Sequence, residues 1–589
     1  MMDAINGEKE TVLADVLEVL VPLFLLALNL LIYWQVTRHG FLNYLDDPNL
    51  VNNSHVRDGI SAEGVAWCFR IADGSGWRPL AWFSHMLDFH LYRFNPGAHH
   101  LTSLFFHTVN TLLLFLFLRR ATGARWCSAF VAVAFAVHPL SVESVAWLWE
   151  RKTVLSTCFL FTGLWSYVLY TEKPSIPRYF FCLFLCALGL LAGPMGMSLP
   201  LLLLIMDYWP LRRLRFKSKG DIPGLRDGPG LRGLILGKVP FIVLAAFSTA
   251  APFLVLRHGG NLPSGVSLAE IFFSYLSSLS KILLPHPLSV LYQPFGNVSA
   301  WMAAGSGLLV LSVSVLVVLL RRFPYLAAGW FWYLVTLTAA IVVGQVPDWR
   351  VMTDRFSYVP LIGILIIAAW GGAGVAERLR YGRVLLALVA GILISAMAVM
   401  SWSQTRHWQN GLTLFSHAVT VTPGDAVARN QLGFALARGG KYPEAMDQLT
   451  EALRLKSDYA EAHVNLGLVL DEQGRFQEAI RHFSEALTID PKFARAHAQW
   501  ALVLTRKGLL REAEKHYLEA LRIDQEDAEI HNNFGVALYG EGRFQEAIHH
   551  YSEALRIRPE YADARRNLDN LLRSVGRNPG KNSAETPPP

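Results

Sequence analysis

Long apolar runs divided by short polar connections fill the first 400 or so residues, and amphipathic helical periodicity fills the last 180 or so. A bilayer crossing takes about 20 mostly apolar residues. Eleven runs approach that length, at 13–34, 101–118, 126–138, 153–170, 179–192, 195–209, 239–256, 301–320, 326–343, 359–376 and 384–402. The third, fifth and sixth are short and carry Pro or Gly at their ends. The first run closes on Leu31-Ile32-Tyr33-Trp34 and opens among Asp3, Glu8, Lys9 and Glu10. It therefore reads as a retained interfacial anchor rather than a cleaved leader with a basic start. The pattern predicts an all-α chain, with a multi-span membrane domain over 1–402.

From Asp425 the chain repeats every 34 residues, aligning Gly433, Gly467, Ala501 and Gly535, then Ala445, Ala479, Ala513 and Ala547, then Leu453, Leu487, Leu521 and Leu555. The pattern resembles the tetratricopeptide repeat (TPR), a helical hairpin with small residues where its helices cross. Such hairpins bury their apolar stripes by stacking into a superhelix. Four full units over 425–560, a half-unit before them (Trp408 to Thr422) and a polar capping helix at about 561–575 make a second domain over 403–575. The tail 576–589 has no apolar pattern and reads as disordered. Arrays of this kind mostly bind protein, and the fold alone names no partner.

Composition agrees with the partition. Hydrophobic residues make up 52% and charged residues 17%, against about 25% charged in a typical soluble protein. That excludes a disordered chain, a disulfide scaffold and an ordinary cytosolic enzyme. The net charge of +7 fits cytoplasmic loops better than nucleic-acid binding. Connections after even-numbered runs hold 18 Lys and Arg in roughly 55 residues; the opposite connections hold 11 in roughly 140. The denser set is predicted to be cytoplasmic. The N-terminus is then cytoplasmic as well, and everything after Trp402 lies on the far side. The five cysteines show no disulfide framework and no metal spacing.

Chemistry gathers in three far-side connections. Loop 35–100 opens FLNYLDDP, with Asp46 and Asp47 just past the first run. Adjacent carboxylates repel, which favours a raised pKa and a proton-accepting role; Asp-Asp-Pro is also ordinary turn chemistry. His85, His99, His100 and His107 fit no zinc signature, and His107 with Asn110 reads as core hydrogen bonding. The segment HPLSVESVAWLWERK, 138–152, reads as a short amphipathic helix carrying Glu143 and Glu150 on one face, followed by Arg151 and Lys152. Its bland reading is an interfacial helix with snorkelling cations. In QVPDWRVMTDRFSYVP, Arg355 is placed to meet a phosphate at the membrane surface, unless it only pairs with Asp354. Together the three loops put carboxylates and cations on one face, a combination suited to transfer from a lipid phosphate.

In order, NY-DDP, SHMLD, HHLTxLxxHxxN, HPLxVESVAWxxERK, SLPxxLLxxDYWPLRR and DRxxYxP, followed by TPRs, resemble bacterial relatives of the transmembrane and TPR protein O-mannosyltransferases, which are GT-C glycosyltransferases. The resemblance runs from Phe41 to about 575. It implies a GT-C membrane core, placed in a bacterial inner membrane, and a polyprenyl-phosphate sugar as donor substrate; the residues themselves show no metal constellation, so no tightly bound cofactor or metal is expected. The resemblance also implies an inverting transfer to Ser or Thr of a protein held by the TPR groove. By the same resemblance Asp46 or Asp47 is the base, and Arg78, His85, His138, Glu143, Arg151, Lys152 and Arg355 serve the substrate and its lipid phosphate. Three positions depart from the pattern: Leu45 interrupts NYDDP, Thr153 stands where Asp follows ERK, and Gly193 stands where Lys precedes Pro-Met. These departures support the alternative of a non-catalytic membrane scaffold descended from such an enzyme.

Overall fold

The computed structural model describes residues 2–42, 46, 50–70, 77–213, 231–258, 268–292, 299–343 and 354–577. Helices and turns make up the described residues, with no strand among them. The chain divides into two compact units, Met1–Val421 and Thr422–Pro589. Helix Gly411–Val421, which covers most of the predicted half-repeat, falls in the first unit.

Each of the eleven apolar runs lies on a helix. Six helical segments among the described residues are long and apolar enough to cross a membrane: Glu18–Arg38, Pro96–Thr122, Leu148–Glu172, Trp301–Leu319, Pro324–Ile341 and Gly382–His407. A seventh forms if the bent pair Arg125–Val137 and Pro139–Ala146 counts as one crossing. The 57° bend sits at Pro139, whose ring cannot continue the helical hydrogen bonding. His138 secures this corner. Its Nδ1 accepts from Leu140 N at 3.2 Å, leaving Nε2 to donate to the Ile282 carbonyl at 3.1 Å. His138 is therefore a structural clamp, 1% exposed.

Helix Pro96–Thr122 organises the first unit. A Cβ on Gly97 would fall 2.1 Å from the Thr37 carbonyl oxygen, so the close approach of these segments requires glycine. Further along, His107 Nδ1 meets Tyr358 Oη at 2.7 Å, while Asn110 Nδ2 donates to the Val154 carbonyl at 2.8 Å and to Tyr358 Oη at 3.3 Å. These bonds confirm the core role read for His107 and Asn110 and place Tyr358 beside them.

In the second unit four hairpins follow: Ala426–Arg438 with Tyr442–Leu455, Ala460–Glu472 with Phe476–Ile489, Ala494–Arg506 with Leu510–Ile523, and Ala528–Gly540 with Phe544–Ile557. The 34-residue phase has a packing cause. Ala445, Ala479, Ala513 and Ala547 are all 0% exposed. A Cβ on Gly433, Gly467 or Gly535 would sit 2.6, 2.5 or 2.7 Å from Leu449, Phe483 or Tyr551. Helix Ala562–Arg577 follows the last hairpin and takes in Gly576 and Arg577, the first two residues of the tail expected to be disordered; residues 578–589 lie outside the described residues.

Candidate functional site

The segment expected as one amphipathic helix is broken. Helix Val142–Ala146 ends at Trp147, which is extended at φ −98° and ψ 119°, and a 3-10 turn covers Leu148–Glu150 before helix Arg151–Glu172 begins. The helical register that would have aligned Glu143 and Glu150 is absent. Arg355 brings them together instead. Its Nη1 lies 2.7 Å from Glu143 Oε1, its backbone N–H donates to Glu143 Oε2 at 3.1 Å, and its Nε lies 3.1 Å from Glu150 Oε1. Lys152 Nζ reaches Glu150 Oε1 at 2.5 Å, and Thr153 Oγ1 donates to Glu150 Oε2 at 2.7 Å.

Asp354 does not pair with Arg355. It takes Lys281 Nζ at 3.0 Å and the hydroxyl of Tyr292 at 2.8 Å. Burial raises the Asp354 carboxyl above its ordinary range, and Lys281 opposes that shift. The surface-pair reading of Asp354 and Arg355 fails because both are buried, at 3% and 7% exposure.

Asp46 is buried, and both of its carboxylate oxygens accept backbone N–H groups: Leu42 at 3.1 Å and Trp149 at 3.2 Å. Trp149 thereby links the first loop to the cation side. The Arg78 guanidinium lies 4.3 Å from the Trp149 ring and 5.3 Å from the Trp82 ring. Arg78 Nη2 is buried with no hydrogen-bond partner among the described residues. Burial lowers the Arg78 pKa to about 10 against the pull of Glu150, so the group stays charged at neutral pH. His85, 3% exposed, also has an unpartnered nitrogen, Nδ1. Burial, and then the charge of Arg151, hold its pKa well below the ordinary value, so the ring is neutral.

Arg151 occupies a different setting. It is 0% exposed, pairs with Asp88 at 2.8 Å, and donates to Ser103 Oγ, Ser84 Oγ and the His99 carbonyl at 2.8, 3.1 and 2.6 Å. Its guanidinium is taken up within the protein, a positioning role. Asp47 and Leu45 lie outside the described residues. Gly193 has a steric reason, since a Cβ there would lie 2.8 Å from the Lys152 carbonyl oxygen. No group of three or more His, Cys, Asp or Glu side chains among the described residues could hold a metal.

Reading the sequence missed Trp149, Lys281 and Tyr292 as members of the cluster. Trp149 carried a local signal, next to Glu150 in the ERK motif; Lys281 and Tyr292 carried none, being brought in only by the tertiary fold.

Two profiles described as "Tetratricopeptide repeat" match residues 423–492 and 493–560, so this region carries TPRs. Protein O-mannosyl-transferase TMTC3 of Mus musculus is 22% identical over 436 residues, covering 66% of this chain and 45% of that protein. Protein O-mannosyl-transferase Tmtc3 of Drosophila melanogaster is 24% identical over 462 residues, covering 66% and 49%. The chain thus spans about half the length of these curated relatives. Among solved structures, YrrB, described as a TPR protein with an unusual peptide-binding site, aligns at a TM-score of 0.23 with 22% identity, over 26% of this chain and 80% of that one.

Proposed function

We propose that the first unit is a GT-C-type glycosyltransferase that moves a sugar from a polyprenyl-phosphate carrier to Ser or Thr hydroxyls of a protein, with the TPRs capturing the acceptor. The reading places the reaction at the extracytoplasmic face of a bacterial inner membrane, following the charge asymmetry of the loops. One observation carries it. Through Trp149, a buried carboxylate (Asp46) and a guanidinium whose buried Nη2 has no hydrogen-bond partner among the described residues (Arg78) share one residue, bound at 3.2 Å and stacked at 4.3 Å.

The chemistry needs both sides. The acceptor oxygen attacks the anomeric carbon and the bond from that carbon to the phosphate oxygen breaks. The hydroxyl proton passes to a carboxylate of the Asp46–Asp47 pair. Polyprenyl phosphate leaves with the bonding electrons, and its charge falls to Arg78, whose fork of donors matches phosphate oxygens. Neutral His85 can donate one further hydrogen bond. Glu143, Glu150, Lys152 and Arg355 hold the segment that presents Trp149, and Arg151 with Asp88 anchors its other flank. Mannose is the sugar named by the relatives, and it is adopted here as the first donor to try.

In the test, membranes are incubated with labelled polyprenyl-phosphate mannose and an acceptor peptide rich in Ser and Thr. Wild type labels the peptide, and the double variant Asp46→Asn, Asp47→Asn does not. Equal labelling by both would remove the aspartates from the mechanism. The second reading, a non-catalytic scaffold, is favoured by the sequence departures at Leu45, Thr153 and Gly193. It predicts that the double variant complements a deletion strain as well as wild type does.

A further inference from the structure

Each of the last three hairpins pairs a histidine on its first helix with one on its second, and the fourth carries an additional His549 beside His550. The pairs His463–His482, His497–His516 and His531–His550 are each 19 residues apart, with Nδ1···Nδ1 distances of 3.0, 3.0 and 2.9 Å. The first-helix rings also turn Nε2 toward a carbonyl six residues back: His463 to Ser457 at 3.4 Å and His531 to Gln525 at 3.2 Å. His497 is placed likewise against the Pro491 backbone. A carbonyl accepts only, so Nε2 carries the proton and Nδ1 of the first ring is the acceptor. The second ring then donates from Nδ1. Each pair holds one proton between its facing nitrogens, and a second there would set two N–H groups against each other.

The first hairpin supplies a built-in control. At the equivalent positions Arg429 Nε donates to the Pro423 carbonyl at 2.8 Å, and Arg429 Nη1 donates to Gln448 Oε1 at 3.0 Å, again across 19 residues. The same two bonds are made there by groups that do not titrate near neutrality. This staple between helices is a general feature of the array, and only in the last three hairpins is it built from imidazoles.

We propose that the paired histidines make the second, third and fourth hairpins open on mild acidification, while the first hairpin does not respond. The facing charges come from the hairpins' own helices. Glu485, Glu519 and Glu553 favour protonation of the first-helix rings, and Arg481, Lys515 and His549 oppose protonation of the second-helix rings. Trp500 and Phe534 cover His516 and His550 at 4.2 and 4.4 Å. Burial lowers all six rings, and the second-helix rings to about 4. A ring with a depressed folded pKa binds more protons when released, so the closed hairpin is favoured above the ordinary value of about 6.5 and weakens as pH falls toward 4.

Hydrogen exchange on the full chain in detergent, at pH 7.5 and 5.0 with intrinsic rates corrected, tests this hairpin by hairpin. Protection is expected to fall about tenfold in helices Phe476–Ile489, Leu510–Ile523 and Phe544–Ile557, and less than about twofold in Tyr442–Leu455. The graft His463→Arg with His482→Gln should silence the second hairpin and leave the third and fourth responsive. Equal loss in all four hairpins, or no loss in any, overturns the proposal. If the graft does not fold, the comparison within wild type decides the matter alone.

Discussion

The two units differ in how deeply they bury charge. In the repeat unit most ion pairs lie on the surface one helical turn apart, as in Arg454–Glu451, Arg475–Glu478 and Arg522–Glu519, with Arg side chains 43–69% exposed. Its buried crossings are left to alanine and glycine. The first unit has exposed pairs too, such as Arg120 with Glu172, but it also buries ions: Arg151 with Asp88 at 0% and 3% exposure, and Arg355 with Glu143 and Glu150 at 8%, 3% and 1%. Burying an ion costs several kcal/mol before its partner repays it. A fold that needed only stability could use packed apolar residues at those positions. Buried charge in a chain of apolar helices therefore marks where chemistry is held in place.

The contrast breaks first, and most severely, at the buried pair. Arg151→Ala strands Asp88 and should destabilise the first unit by roughly 3–5 kcal/mol, read as loss of the folded, monodisperse fraction in detergent. Next in size is Arg78→Lys, which keeps the charge and loses the planar fork and the stack on Trp149. Sugar transfer should fall more than about tenfold with only a small drop in melting temperature, because what is lost inside the protein is a stack worth about 0.5–2 kcal/mol. In the repeat unit Gly467→Ala drives a methyl into Phe483 and should cost about 1–3 kcal/mol, read as increased exchange in Ala460–Glu472 and Phe476–Ile489 alone. Smallest is Arg475→Ala, which removes an exposed pair and should leave the melting temperature unmoved within error.

The repeat unit was legible nearly residue by residue, since its spacing of Gly and Ala follows from local packing that recurs unchanged. The apolar runs were legible as helices for a similar reason: backbone polar groups in an apolar setting must be satisfied within the helix. The site was legible only in part. Asp46, Glu143 and Arg355 stood out as polar residues between apolar runs, and Arg78 entered only through the family resemblance. How they join was not legible, because Trp147 breaks the helix expected to align the two glutamates. Lys281 meets Asp354 across 73 residues, and no local pattern encodes that distance. Arg151, expected at the lipid phosphate from the ERK motif, is paired with Asp88 on another helix, far away in sequence.

The central claim is that Arg78 receives the phosphate released when sugar leaves its lipid carrier. The direct measurement is single-turnover transfer by the purified full chain in lipid vesicles loaded with labelled polyprenyl-phosphate mannose, comparing wild type with Arg78→Gln. The account predicts labelled acceptor from wild type and at least about a hundredfold less from Arg78→Gln, the scale of losing one charge-stabilising donor. Equal transfer rates from the two proteins would contradict it.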